Sequence, residues 1–269
     1  MQTTSGTAAA TPTGSESLPP RSEAPLVARL AGVRRTFPGR RRRPAVIALE
    51  DMALEVARHE VVAVLGPSGC GKSTLLEVLC GLQPVEKGTV QARPAAYLPQ
   101  RDGLLPWASA LDNAALALRL TGVDRSRARE RARPVFERLG LEGFEGAFPH
   151  ELSGGMRQRV AIARTLLCGR ELLALDEPFA ALDALTRREL QGWLQAALGL
   201  EPRSVVLVTH DAEEAAVLAD RVVVMAGRPG RVRSELTVGL PRPRRAGQPE
   251  IVVLRERALA ALATEPPPL

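Results

Sequence analysis

Gly66-Pro67-Ser68-Gly69-Cys70-Gly71-Lys72-Ser73-Thr74 is the stretch on which the reading of this chain turns. The apolar run Val61-Val62-Ala63-Val64-Leu65 leads into it, and Leu75, Leu76, Val78, Leu79 and Leu82 follow at helical spacing. It therefore has the strand, loop and helix context of a phosphate-binding loop, which separates it from a Gly-rich turn before an ordinary core helix. Glycine lets the backbone wrap around phosphate oxygens, and the N–H groups that open the helix carry partial positive charge. In such a loop Lys72 reaches the β- and γ-phosphates of a nucleoside triphosphate, and the Ser73 hydroxyl ligates Mg2+. Of the 36 basic residues all but Lys72 and Lys87 are arginine, yet this position keeps lysine. A compact ammonium fits a tight phosphate cradle better than a planar guanidinium does.

Further along, Leu152-Ser153-Gly154-Gly155-Met156-Arg157-Gln158-Arg159 precedes an apolar-periodic helix beginning at Val160. Ser153, Gly154 and Gly155 at a helix N-terminus make a second anion-binding site far from the first in sequence. A capping turn alone explains Ser-Gly-Gly, but the full eight-residue string is much rarer. The run Leu172-Leu173-Ala174-Leu175 ends in Asp176 and Glu177. Two adjacent carboxylates at the end of an apolar strand are costly unless a cation or a water needs them there. Asp176 is placed for Mg2+ and Glu177 for an attacking water. The strand Val205-Val206-Leu207-Val208-Thr209 ends in His210, on the ligand-binding edge of a parallel sheet. His59, His150 and Trp193 have no such placement and read as ordinary residues. Gln100 sits where the strand pattern Ala95-Ala96-Tyr97-Leu98 gives way to a loop. Phe37 precedes the whole arrangement in a chain with 3% aromatic residues; it either stacks on a base or is a buried edge-strand side chain.

With 269 residues and 45% hydrophobic content, the expectation is one α/β domain with an insertion. No run of about 18 apolar residues occurs and no basic-then-apolar signal opens the chain, so it is expected to be cytoplasmic. Three cysteines, Cys70, Cys80 and Cys168, suit reduced thiols rather than a disulfide framework or a metal site. The net charge of +6 admits a solvated arginine-rich face, an anionic membrane surface or nucleic acid, in that order, because no nucleic-acid motif accompanies it. Residues 40–43 form an arginine run, and Arg125, Arg127, Arg129, Arg131 and Arg133 alternate along a predicted helix.

Residues 1–24, rich in Thr, Ser, Ala, Gly and Pro, read as a disordered tail. The short apolar runs between Val27 and Val56 predict a small antiparallel sheet, and residues 101–155 a helical subdomain inserted into the α/β core. The domain is expected to span 25–245, followed by a C-terminal helix and tail over 246–269.

Taken in this order, the motifs resemble the ATP-binding subunits of ABC transporters, a match covering about residues 27–240. Residues 66–74 look like the Walker A loop, Gln100 like the Q-loop glutamine and residues 152–158 like the family signature. Residues 172–177 look like Walker B with its catalytic glutamate, Ala181-Leu182-Asp183 like the D-loop, and His210 like the switch histidine. Phe37 is similar in position to the aromatic that stacks on adenine. The resemblance implies a P-loop core, a mostly parallel sheet flanked by helices, with an antiparallel β subdomain and a helical subdomain. It also implies ATP and Mg2+ as ligands, with Mg2+ at Ser73, Gln100 and Asp176, and Glu177, His210, Lys72 and Gln100 as the hydrolytic set. Two copies would sandwich ATP between one copy's Walker A loop and the other's Ser153, Gly154, Gly155 and Asp183.

Leu104-Leu105-Pro106-Trp107, the Arg228-Pro229-Gly230-Arg231 turn and Pro241-Arg242-Pro243-Arg244 are similar to importers of nitrate, organic sulfonates and taurine. The implied partners are transmembrane permease subunits and, through them, an extracytoplasmic solute-binding protein, with this chain on the cytoplasmic face of the membrane and no nucleic acid expected. The alternative is a soluble ABC-type ATPase acting on nucleic acid or ribosomes, for which duplicated cassettes or a coiled-coil insertion would be the mark. Four residues depart from the family pattern: His59 where glycine commonly precedes Glu60, Arg170 and Glu171 in place of the usual Pro-containing turn before Walker B, and Met156 for the commoner glutamine.

Overall fold

The computed structural model describes residues 24–39 and 44–263; the tail predicted over 1–24, apart from Ala24, the arginine run 40–43 and the closing prolines lie outside the described residues. The elements are β1 (Leu26–Phe37), β2 (Val46–Ala57), β3 (Val61–Leu65), α1 (Lys72–Leu79), β4 (Lys87–Ala92), β5 (Ala95–Leu98), α2 (Ala110–Leu120), α3 (Arg125–Arg138), α4 (Gly154–Leu166), β6 (Leu172–Asp176), α5 (Ala184–Leu200), β7 (Ser204–Thr209), α6 (Ala212–Leu218), β8 (Arg221–Met225), β9 (Val232–Thr237) and α7 (Pro249–Ala263).

Strands β3, β6 and β7 are apolar at both parities because both faces are covered. They form a six-stranded sheet of order β5-β6-β7-β3-β8-β9, parallel except for β9, which runs antiparallel to β8. Val61, Ala63 and Leu65, with Val205 and Leu207, face one core built with the helices α2 to α7. Val62 and Val64, with Val206 and Val208, face the other, built with α1 and the antiparallel sheet β2-β1-β4. Each buried Val or Leu contributes about 1.5–3 kcal/mol, so the five residues of β3 alone anchor both layers. The mixed α/β fold with its antiparallel layer is the one the sequence predicts.

The helical layer follows local rules. Ser109 caps α2, its hydroxyl accepting from the Asp112 N–H at 3.3 Å, and Asp124 caps α3 by accepting from Ser126 and Arg127 N–H. Along α3 the stripe Ala128, Ala132 and Phe136 is buried, at the i, i+4, i+8 spacing of one helix face. The arginines take the other side, and Arg125 and Arg129 turn back onto Asp112 at 2.6 and 3.6 Å. The hydrogen bond from Arg125 holds the Asp112 carboxyl below the usual carboxylate range.

His59 has φ 64° in the turn between β2 and β3, which gives the physical reason glycine suits this position. Its N–H donates to the Ser204 hydroxyl at 2.8 Å, which holds the turn against β7. The turn after β8 reaches back to the antiparallel layer: Gly230 N–H donates to Ala48 O at 3.0 Å, and Glu50 N–H donates to Gly230 O at 3.1 Å.

Candidate active site

Since β3, β5, β6, β7 and β8 run parallel, the loops that follow them open on one edge of the sheet, where such sheets bind ligands. The loop after β3 ends at Gly71, which caps α1 with φ 103° and without a side-chain hydrogen bond. A Cβ there would lie 2.6 Å from Ala48 O, so only glycine lets the loop seat against β2. Lys72, 6% exposed, donates from Nζ to Gly66 O at 2.7 Å and Pro67 O at 3.0 Å. An ammonium has three N–H groups, so one remains for a phosphate oxygen. Burial pushes the Cys70 thiol up, which leaves it a packing residue.

Asp176 closes β6 and is buried. Burial pushes its carboxyl up, while a hydrogen bond from Ser73 and the charge of Lys72 pull it down. Tyr97, the one tyrosine of the chain, also hydrogen-bonds to Asp176, and burial raises its hydroxyl first and that carboxylate next. A hydroxyl and a carboxylate side by side are the hard oxygen set that Mg2+ takes together with substrate phosphates, so the residues fit that ion. Glu177 has φ 48°, an uncommon backbone for a side-chain-bearing residue. That turn sets its carboxylate between Gln100 and His210. Gln100 Nε2 donates to Oε2 at 3.3 Å, and His210 Nδ1 lies 3.2 Å from Oε1.

Lys72, Ser73, Thr74, Gln100 and Glu177 line one cleft of about 570 Å3, a volume in the range of nucleotide-sized ligands. Ser68, Gly69 and Gly71 line it as well. Phe37 is at its rim, half-buried, with the Arg35 guanidinium 4.8 Å from its ring centroid. It is a cleft wall rather than a buried edge-strand side chain. Arg228 also lines the cleft and donates from Nε to Gly69 O at 2.6 Å.

The second anion-binding loop lies elsewhere. Ser153 caps α4, accepting from Met156 N–H at 3.2 Å, and is exposed with Gly154. Gly155 backs onto the turn before α5: a Cβ on it would lie 3.2 Å from Leu182 Cδ2. Asp183 caps α5, and its bond to Thr186 with those backbone N–H groups holds its carboxyl low. None of Ser153, Gly154, Gly155 and Asp183 lines the cleft. A single chain therefore gathers the residues after β3, β5 and β6 into one cleft, with His210 touching Glu177 at its side, and leaves the other loop facing outward.

Sequence reasoning missed Tyr97 and Arg228. The lone tyrosine in the strand leading to Gln100 is a usable signal; in sequence Arg228 reads only as part of a turn.

Comparison with known proteins adds the following. A family profile described as ABC transporter matches residues 49–180. An aliphatic sulfonates import ATP-binding protein of Nocardia farcinica is 47% identical over 220 residues, covering 81% of this chain and 89% of that protein. A taurine import ATP-binding protein of Escherichia coli is 40% identical over 230 residues, covering 79% and 90%. Among solved structures, a dimeric ATP-binding cassette in a post-hydrolysis state bound to ADP and Pi superposes with a TM-score of 0.73 at 28% identity, covering 80% of this chain and all of that one.

Proposed function

This chain belongs to the ABC transporter family of ATP-binding subunits, and from that premise we propose that it energises import of a small solute, a sulfonate, taurine or nitrate, through separate permease subunits. The names of its relatives support import, and the dimeric cassette supports a working unit of two copies. Residues 25–245 then act as one ATPase domain. A place at the cytoplasmic face of the membrane is inferred from the permease partner; no described helix is long and apolar enough to cross a bilayer. The segment around Trp107, which is 74% exposed just beyond Gln100, is the surface we assign to permease docking. Purification from membranes should bring a permease down with this chain; recovery only with RNA or DNA would sink the import reading.

ATP hydrolysis in this reading uses the cleft as follows. Phe37 stacks against the adenine, and the N–H groups of residues 66–74 with Lys72 hold the phosphates. Ser73 and Asp176, with Gln100 as a further ligand, would hold Mg2+, which would supply charge neutralisation at the phosphate oxygens. Glu177 accepts a hydrogen bond from the attacking water and His210 holds the γ-phosphate in line as the bond to the leaving phosphate breaks. Ser153, Gly154, Gly155 and Asp183 of a second copy close over the same phosphate. ATP then favours the closed pair and hydrolysis reopens it.

The observation that carries this reading is the carboxylate of Glu177 in the cleft of Lys72 and Ser73, held between Gln100 and His210. Glu177→Gln should bind ATP, accumulate as a dimer on size exclusion and turn over about a thousandfold more slowly. Wild-type turnover in that variant would remove Glu177 from the catalytic role.

A further inference from the structure

Beside the Glu177 and His210 pair lies a second, smaller cavity of about 40 Å3, walled in part by Arg187, Thr209 and Glu214. Glu214 lies on α6, one turn beyond His210, and is 5% exposed. The Thr209 hydroxyl hydrogen-bonds to it, while its Oε1 is buried with no partner among the described residues. Arg187, in the first turn of α5, donates from Nη2 to Leu182 O at 3.1 Å and lies 3.7 Å from the Asp211 carboxylate. Its Nε is likewise buried without a partner among the described residues. Two residues of the cavity wall thus carry an unused donor and an unused acceptor, and leaving both unmade is costly. A cavity of about 10–15 Å3 already holds a water. One water accepting from Arg187 Nε and donating to Glu214 Oε1 would satisfy both atoms.

We propose that an ordered water in this cavity bridges Arg187 Nε to Glu214 Oε1, and that the bridge makes Glu214 a positioning residue that holds the start of α6, and with it His210, against Glu177. The bridge ties three elements together. Arg187 fixes the Leu182 carbonyl in the turn that backs Gly155, Asp211 caps α6, and Glu214 lies beneath the loop between β7 and α6. The position of the outward-facing loop is in this way passed to the histidine beside the cleft. The inference rests on the roles given above to Glu177 and His210.

The water can donate to Oε1 in either protonation state, but an ionised Glu214 would repel Asp211 and Glu177 and push the start of α6 away from the cleft. Burial raises its carboxyl most, Asp211 and Glu177 raise it further, and Thr209 and Arg187 lower it, for a result of about 8; His210 is the other titratable group on the cavity wall. At neutral pH it is therefore an uncharged acid. A carboxyl raised in the folded state contributes stability that is complete below its unfolded value, near 4.5, and is lost as pH rises to about 8.

Two readouts on the full chain test this. In thermal unfolding, Glu214→Gln should gain on wild type as pH rises from 5 to 8 and hold a constant margin above. In ATP turnover, wild type should fall about fivefold between pH 8 and pH 9, as the protonated share of Glu214 drops from about a half to about a tenth, and Glu214→Gln should lose that fall. At pH 7 Glu214→Ala should lose about tenfold and Glu214→Gln recover most of it, since the amide can take the water bridge. Arg187→Lys, which keeps the charge beside Asp211 and lacks Nε, should lower turnover with ATP affinity unchanged. A high-resolution crystal structure should show the water between the two atoms. Matching pH profiles for wild type and Glu214→Gln in both readouts, or a crystal structure without the water, would overturn the proposal. The stability readout does not depend on hydrolysis, so its failure is distinct from any failure of the Glu177 assignment.

Discussion

The two anion-binding helix starts of this chain are built in opposite ways. At α1 the cap is a glycine wedged against β2, so no side chain competes with a ligand for the N–H groups, and a buried lysine stands beside them. At α4 the cap is Ser153, whose hydroxyl already takes one N–H, and the loop faces solvent. A helix start that must grip an anion within one chain leaves its cap empty and brings a cation; one that completes a site on another copy is stabilised by its own side chain until it meets that copy. With the roles proposed for the two loops, the difference makes ATP affinity and dimer closure expected to be separable, each tied to its own loop.

Lys72→Ala breaks the first side outright. It removes a buried cation and should weaken ATP binding about a hundredfold and abolish turnover, as read by calorimetry and phosphate release. Gly155→Leu tests the second side alone. Its added side chain meets Leu182, so ATP-driven dimerisation and turnover should fall about tenfold to a hundredfold while the isolated chain keeps its ATP affinity. A loss of affinity in that variant would mean that the two loops are not independent. His59→Gly touches neither side. Removing a side chain from a residue at φ 64° should raise stability by about 0.5 kcal/mol in urea titration, with binding and closure unchanged.

Much of the fold could be read from the sequence because it rests on local rules. Runs such as Val61-Val62-Ala63-Val64-Leu65 are apolar at both parities, which announces a strand covered on both faces, and Asp124, Ser153 and Asp183 mark helix starts. Lys72, Ser73, Gln100 and Glu177, singled out beyond the ends of β3, β5 and β6, line one cleft for the same reason: parallel strands end on one edge. What stayed hidden depends on contacts between distant segments. Arg228 meets Gly69 across 159 residues. Glu214 sits in the acidic string Asp211-Ala212-Glu213-Glu214, and only the tertiary packing of α6 buries it. For Phe37 the sequence offers two alternatives, because it does not say which face of β1 borders a cleft.

The contact between Gly230 and the backbone on either side of Leu49 has a consequence for how the protein comes apart. It pins the antiparallel layer to the turn after β8, while α1 and the even-numbered residues of β3 share that layer's core. Neither sheet can lose its order without exposing the apolar face of the other. Heating should therefore melt residues 26–263 in one calorimetric transition, with equal van't Hoff and calorimetric enthalpies, and not as a small β unit followed by a larger remainder.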